Sequence, residues 1–296
     1  MPLKRWLIFA LVTTVSWGLW GALTSVFSGV SMPSTMVYSI WAVTMIVPCV
    51  VVMQKVRWQL QTDTRSIVLG CTIGFLGSGG QLVLFHAITV GPGYLIFPIV
   101  SLSPLVTIVL SMTLLRERTN FLGVVGIILA LVALPLFEYG PSPDEQHYGV
   151  TWFAWALVVM AAWGIQAYCM KFSNNHMSAE SIFFYMTITA LLLIPAALMM
   201  TDFNTPIDFS ASTISINAGI QVLNALGALA LVYAFRYGKA IVVSPLTNAG
   251  APLISAVLTI ILLGVVPPLT KVAGIVLAVI AAIILALEPE VSDEKK

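Results

Sequence analysis

Charge is what this chain has least of. Asp, Glu, Lys and Arg make up 8% of its 296 residues, where a soluble domain carries about 25%. Hydrophobic residues make up 59%, and the mean hydropathy is +1.01. No soluble fold hides that much apolar surface, so the solvent for most of the chain is lipid. Cysteine is scarce as well. Cys49, Cys71 and Cys169 are odd in number, sit inside apolar runs and have no metal-ligand spacing. They read as packing residues, which excludes a disulfide framework and a thiolate metal site. A formal net charge of +1 points to no acidic partner and no nucleic acid. The sequence has no GxxxxGK[ST] loop for ATP and no HExxH motif. All twelve acids fall in loops or at the ends of apolar runs. That excludes a proton relay built on carboxylates at mid-depth, and no metal or cofactor is expected.

Present instead are ten apolar runs, at about 5–27, 34–54, 66–89, 93–115, 121–138, 150–171, 180–200, 213–235, 240–263 and 270–288, each near the roughly 20 residues a bilayer core requires. The first follows Lys4 and Arg5 but lacks a small-residue cleavage site, so it reads as a retained span rather than a signal peptide. The runs are continuous rather than alternating, which argues for helices and against a barrel. Connections as short as VGPG at 90–93 force neighbouring helices to be antiparallel. With the N-terminus in the cytoplasm, Lys4, Arg5, Lys55, Arg57, Arg65, Arg116, Arg118, Lys171, Arg236, Lys239, Lys295 and Lys296 all fall inside, and only Lys271 falls outside. Acids mark the outer loops: Asp144, Glu145, Asp202 and Asp208. The expected fold is an all-α membrane protein of ten transmembrane helices with both termini cytoplasmic.

The halves repeat. Residues 124–133 read VVGIILALVA and residues 272–281 read VAGIVLAVIA, at an offset of 148. Gly91 and Pro98 recur as Gly238 and Pro245, and Trp17-Gly18 recurs as Trp163-Gly164. Matches in the same order at nearly one offset indicate a duplicated five-helix unit: 1–139, a linker at 140–149, and 150–296 with a short charged tail. Five is odd, so the second copy crosses the membrane in the opposite sense. Two inverted five-helix repeats are a recurring transporter architecture.

The Trp-Gly pairs, the proline-bearing fourth helices (FPIVSLSPLVTIVL at 97–110, VSPLTNAGAPLISAVL at 243–258) and the passage LLRERTNFLGVVGIILA at 114–130 carry a resemblance to the EamA-type branch of the drug/metabolite transporter superfamily. It spans essentially the whole chain. What it implies is a central cavity lined by the first, third and fourth helices of each half, with the fifth helices at the periphery. Glu117 stands where such proteins usually carry an acid before the fifth helix, whereas Leu263 to Val266, the corresponding stretch, holds none.

Polar residues inside spans are costly and tend to face a cavity or a partner helix. They gather in the same helices. The candidates to line a solute site are Trp17, Trp20, Gln81, Ser101, Trp163, Gln166, Gln221, Asn224 and Asn248. For each amide the alternative is bonding between helices; for Ser16, Ser78, Ser101, Ser103 and Thr247 it is bonding back to their own backbone. Pro98 and Pro104, partly echoed by Pro245 and Pro252, either shape packing or bend the fourth helices around a cavity. Trp20 and Gln166 hold equivalent repeat positions, as do Ser101 and Asn248. His86 is the one histidine within a span. Glu117 between Arg116 and Arg118 reads as a solvated charge cluster, and Trp6, Trp58, Tyr94 and Trp152 as residues of the aromatic belts.

The function expected is a secondary carrier for a small neutral or zwitterionic organic solute, since no Lys or Arg is available at mid-depth for an anion. A flippase for an amphipathic lipid and a non-transporting receptor or scaffold are the alternatives. An intramembrane enzyme lacks its nucleophile and metal set. The partners expected are the solute and the lipid bilayer, of a bacterial inner membrane, with the chain a monomer or weak homodimer.

Overall fold

A computed structural model describes residues 4–27, 32–138, 151–264 and 268–287. The linker at 140–149, with Asp144 and Glu145, and Lys295 and Lys296 lie outside the described residues. Within them the chain is helical throughout, without strands. In chain order the helices are α1 (Arg5–Val26), α2 (Ser34–Lys55), α3 (Thr64–Val90), α4 in two pieces (Gly93–Ser101 and Ser103–Leu114), α5 (Phe121–Glu138), α6 (Thr151–Ser173), α7 (Ala179–Met199), α8 (Ala211–Tyr237), α9 (Ala240–Leu263) and α10 (Leu269–Ala286). Among the described residues nine are long and apolar enough to cross a membrane, and α5 is a shorter apolar helix.

Local sequence sets where these helices start and bend. Asp63, Ser178 and Ser210 accept the backbone N–H groups of Ser66, Ser181 and Thr213 at the starts of α3, α7 and α8, and Asn120 accepts from Gly123 at the start of α5. These side chains satisfy N–H groups that a helix start leaves without partners. Three helices are interrupted, α2 at Met45, α4 at Leu102 and α7 at Leu193. Pro48, Pro104 and Pro195 follow within three residues, and a proline ring clashes with the carbonyl one turn before it. α9 departs from its counterpart: despite Pro245 and Pro252 it is helical from Ala240 to Leu263, so of the two fourth helices only α4 is interrupted. α3 carries a single π-turn at Phe75–Gly79, sequence FLGSG.

Packing between the halves follows one scheme twice. α1 lies in the groove between α8 and α9, and α6 lies between α3 and α4. α2 packs on α8 as α7 packs on α3, and α5 packs along α10. Every helix thus finds its main partner in the opposite half. α3 and α8 make no substantial packing with one another, nor do α1 and α6, among the described residues. The outward faces of α5 and α10 expose Phe121, Ile128, Val132, Leu269, Val276 and Ile283, an apolar surface suited to lipid.

Candidate functional site

The Trp-Gly pairs are the joints of this arrangement. In α1, the indole N–H of Trp17 donates to the carbonyl of Asn224 in α8 at 3.1 Å. In α6, that of Trp163 donates to the carbonyl of Gly77 in α3 at 3.2 Å. Both acceptors sit at the same place in their repeats. So do the glycines on which the rings rest: a Cβ on Gly227 would strike Trp17, and one on Gly80 would strike Trp163. The glycine of each pair makes the second contact. A Cβ on Gly18 would come 2.5 Å from Ile254 and 3.2 Å from the Ala251 carbonyl of α9, and one on Gly164 2.6 Å from the Ser103 carbonyl of α4. Small residues let membrane helices approach closely where lipid supplies no hydrophobic drive. Thr13 and Thr107 reinforce the two joints by donating to the carbonyls of Gly227 and Gly164. The N–H groups of Trp17 and Trp163 are therefore engaged in structure, and what these residues can offer a solute is the face of the ring.

The next turn of each helix breaks the symmetry. Gln166 follows Trp163, and its amide lies against the π-turn; a Cβ on Gly77 would come within 2.8 Å of its Cδ. A π-turn widens the backbone locally and recurs at functional positions. Gln81 stands one helical turn beyond Gly77. Both glutamines are half-buried, and among the described residues neither makes a hydrogen bond. In the other half the position of Gln166 is taken by Trp20, whose indole nitrogen is buried without a partner among the described residues. The repeat position equivalent to Gly77 is Asn224, whose amide makes a long contact of 3.5 Å to Gln221; Gln221 is buried. Ser101 and Asn248 each bond back into their own helix, to the carbonyls of Pro98 and Ser244 at 2.8 and 2.9 Å. Thr247 does the same toward Val243. Trp20, Gln81 and Gln166 thus retain free hydrogen-bonding capacity at the interface of the halves, whereas Ser101 and Asn248 use part of theirs locally.

Sequence reasoning passed over the second helix. Tyr38 of α2 donates to the Ala190 carbonyl at 3.0 Å and meets Trp41 edge-on, and the Trp41 indole nitrogen is buried without a partner among the described residues. The repeat comparison drew no residues from the second helices, so no signal pointed there. His86 is exposed and sits edge-on to Trp155 at 5.2 Å.

Two readings require correction. Trp6 is not a belt residue: it is 1% exposed, beneath Gly238, where a Cβ would meet it at 3.0 Å. Trp152 holds the equivalent place over Gly91, while Trp58 is exposed as a belt residue would be; the side chain of Tyr94 lies outside those described. Nor is Glu117 a solvated charge. Its side chain is 9% exposed and lies 3.9 Å from the Nζ of Lys171, itself buried. Glu117 accepts the N–H of Ile241 at 3.1 Å, at the start of α9. Lys171 donates to the carbonyls of Phe235 and Gly238 at 3.0 and 2.6 Å, at the end of α8. Burial pushes the Glu117 carboxyl above the ordinary carboxylate range, with Lys171 and the α9 N–H groups pulling the other way. The flanking arginines disguised this in the sequence; only the fold reveals that Glu117 points from one half into the other.

A duplicated helical bundle whose halves meet through Trp-Gly joints, with uncommitted amides between them, defines an integral membrane protein of the transporter class. A sequence profile of the EamA-like transporter family matches twice, over residues 4–137 and 150–287, and the chain belongs to that family. An uncharacterized protein of Methanocaldococcus jannaschii is 26% identical over 93 residues, 31% of this chain and 68% of its own. A solved crystal structure covers 94% of this chain and 98% of its own with a TM-score of 0.75 at 17% identity, a likeness of fold alone.

Proposed function

We propose that the chain is a secondary carrier that moves a small neutral or zwitterionic organic solute by alternating access, through ten spans with both termini cytoplasmic. The observation that carries this reading is the set of polar groups without hydrogen-bond partners among the described residues, Trp20, Gln81 and Gln166, on three helices, α1, α3 and α6, that pack across the repeats. An unpartnered polar group in an apolar environment is unfavourable by several kcal/mol, so an occupant that hydrogen-bonds there is favoured. The ring faces of Trp17 and Trp163 suit a planar or apolar portion of the same solute. No cation lies at mid-depth, which disfavours anions such as phosphate esters. Asn224, Gln221, Ser101 and Asn248 complete the proposed lining. The topology is supported by Lys4, which donates to the carbonyls of Ala286 and Leu287 and so joins the two ends of the described chain on one side. The basic connections gather on that side, and basic residues favour the cytoplasm.

Counterflow into proteoliposomes tests the reading. Preloading with unlabelled solute should accelerate uptake of the labelled solute, and Gln166→Leu should abolish this at unchanged expression. Uptake insensitive to preloading, or identical in the variant, would refute it.

A further inference from the structure

Among the described residues, more polar links cross between the repeats at one end of the bundle than at the other, where Thr35 and Thr201 share a hydrogen bond and an apolar cluster joins α3, α4 and α6. The end that carries Lys4 also carries Lys55, Arg57, Arg65, Arg116, Arg118, Arg236 and Lys239 and is called here the basic end. There, among the described residues, the Gln61 side chain accepts from the N–H of Ser178, and its carbonyl accepts from the Tyr185 hydroxyl. Arg65 meets His176 at 2.9 Å, and Lys239 donates to the carbonyl of Arg118. Each of these links crosses from one repeat to the other. α9 packs against Ser103–Leu114, the basic-end piece of α4, but makes no comparable packing with the other piece, Gly93–Ser101.

Glu117 is the most deeply placed of these links. The backbone is turned to aim it: Leu115 ends α4, Arg116 takes φ 55°, and the N–H of Glu117 returns to the Ser111 carbonyl at 3.1 Å. A non-glycine residue in the left-handed region is strained. The second half meets the same turn with Gly264, φ 63°. Aligned at the Arg116 and Gly264 turns, the halves read LLRE and LLGV, so Val265 stands in the place of Glu117. The carboxylate sits on the N-terminus of α9 while Lys171 covers the C-terminal carbonyls of α8, each charge matched to the helix dipole it meets. Removing one member of a buried pair leaves the other uncompensated, which is far more disruptive than the pair is stabilising.

We propose that Glu117 is an electrostatic latch between the repeats, seated on the start of α9 beside Lys171, that holds the basic end closed and biases the resting carrier toward opening at the opposite end. It rests on the transport reading and adds which side is gated and by what. The latch has no counterpart charge in the second repeat, so the two closed ends differ in energy although the scaffold is duplicated. Opening the basic end requires the α4–α5 turn to lift Glu117 from α9, which exposes the start of that helix and separates the carboxylate from Lys171.

Spin labels at Asn120 and Asn175, in a background without the three native cysteines, read the basic end of the full-length protein in nanodiscs; labels at Thr89 and Ser212 read the opposite end. The wild-type background should give one short basic-end distance. Glu117→Ala should add a longer basic-end population and a shorter one at the opposite end. Glu117→Asp, one methylene short of α9, should shift the same populations to a lesser degree and serves if the alanine variant does not fold. Unchanged distances in both folded variants, or in Glu117→Asp alone if the alanine variant is lost, overturn the latch. Counterflow measured on the same preparations separates the two claims. Unchanged distances with intact counterflow reject only the latch, and shifted distances with no wild-type counterflow reject only the carrier.

Discussion

Replacing Gly164 by alanine places a methyl group 2.6 Å from the carbonyl oxygen of Ser103 and 2.9 Å from Cγ1 of Val106. The oxygen belongs to a helix backbone and has no rotamer through which to retreat. Ordinary contact needs about 3.4 Å or more, and Cβ of Val106 lies closer still than the Ser103 oxygen, so α4 and α6 must separate by roughly 1 Å, and overpacking of this kind destabilises by about 1–3 kcal/mol. Alanine is also favoured over glycine within a helix by about 1 kcal/mol. The net expectation for Gly164→Ala is a loss of up to about 2 kcal/mol. Gly219 in α8 is the internal control, because a Cβ there meets nothing within 4 Å and only the helix term remains. Thermal unfolding of the purified protein in one detergent should therefore lower the midpoint for Gly164→Ala and hold or raise it for Gly219→Ala. A midpoint for Gly164→Ala raised as far as that for Gly219→Ala would refute the close joint between α4 and α6.

Trp17→Phe and Trp163→Phe keep the ring contacts but remove equivalent hydrogen bonds to Asn224 and Gly77. Each should destabilise by about 1 kcal/mol in the same unfolding assay, and by similar amounts if the joints are true repeats. Arg116→Gly relieves the left-handed backbone at φ 55° as Gly264 does in the second half, and should raise the unfolding midpoint, equivalent to about 1 kcal/mol.

The architecture was legible because lipid imposes it. A span must be long, apolar and helical, and a duplication at one offset, with an odd helix count, implies an inversion. The Trp-Gly pairs were legible as landmarks but not as joints, since the partners that define them, Asn224, Gly227, Gly77 and Gly80, are distant in sequence. Ser101 and Asn248 were legible as polar residues in spans; their bonds to their own helices depend on rotamer, which spacing does not encode. Glu117 and Lys171 were hidden for a different reason. Charges at span ends are solvated by default, and only the approach of the α4–α5 turn to the start of α9 removes their water. Pro245 and Pro252 left two roles open, packing or a bend, and sequence could not tell that α9 runs through both without interruption.

Binding at the repeat interface is the central claim, and ligand-dependent thermal stabilisation tests it most directly. A solute that binds only the folded state raises the unfolding midpoint, by about 2.7 kcal/mol at a concentration 100 times Kd. Screening neutral and zwitterionic solutes against the wild-type protein should find at least one class that raises it. Gln81→Leu, Gln166→Leu and Trp20→Phe should each weaken that stabilisation while holding or raising the unliganded midpoint. Stabilisation that persists undiminished in all three variants would place the solute elsewhere and contradict the account.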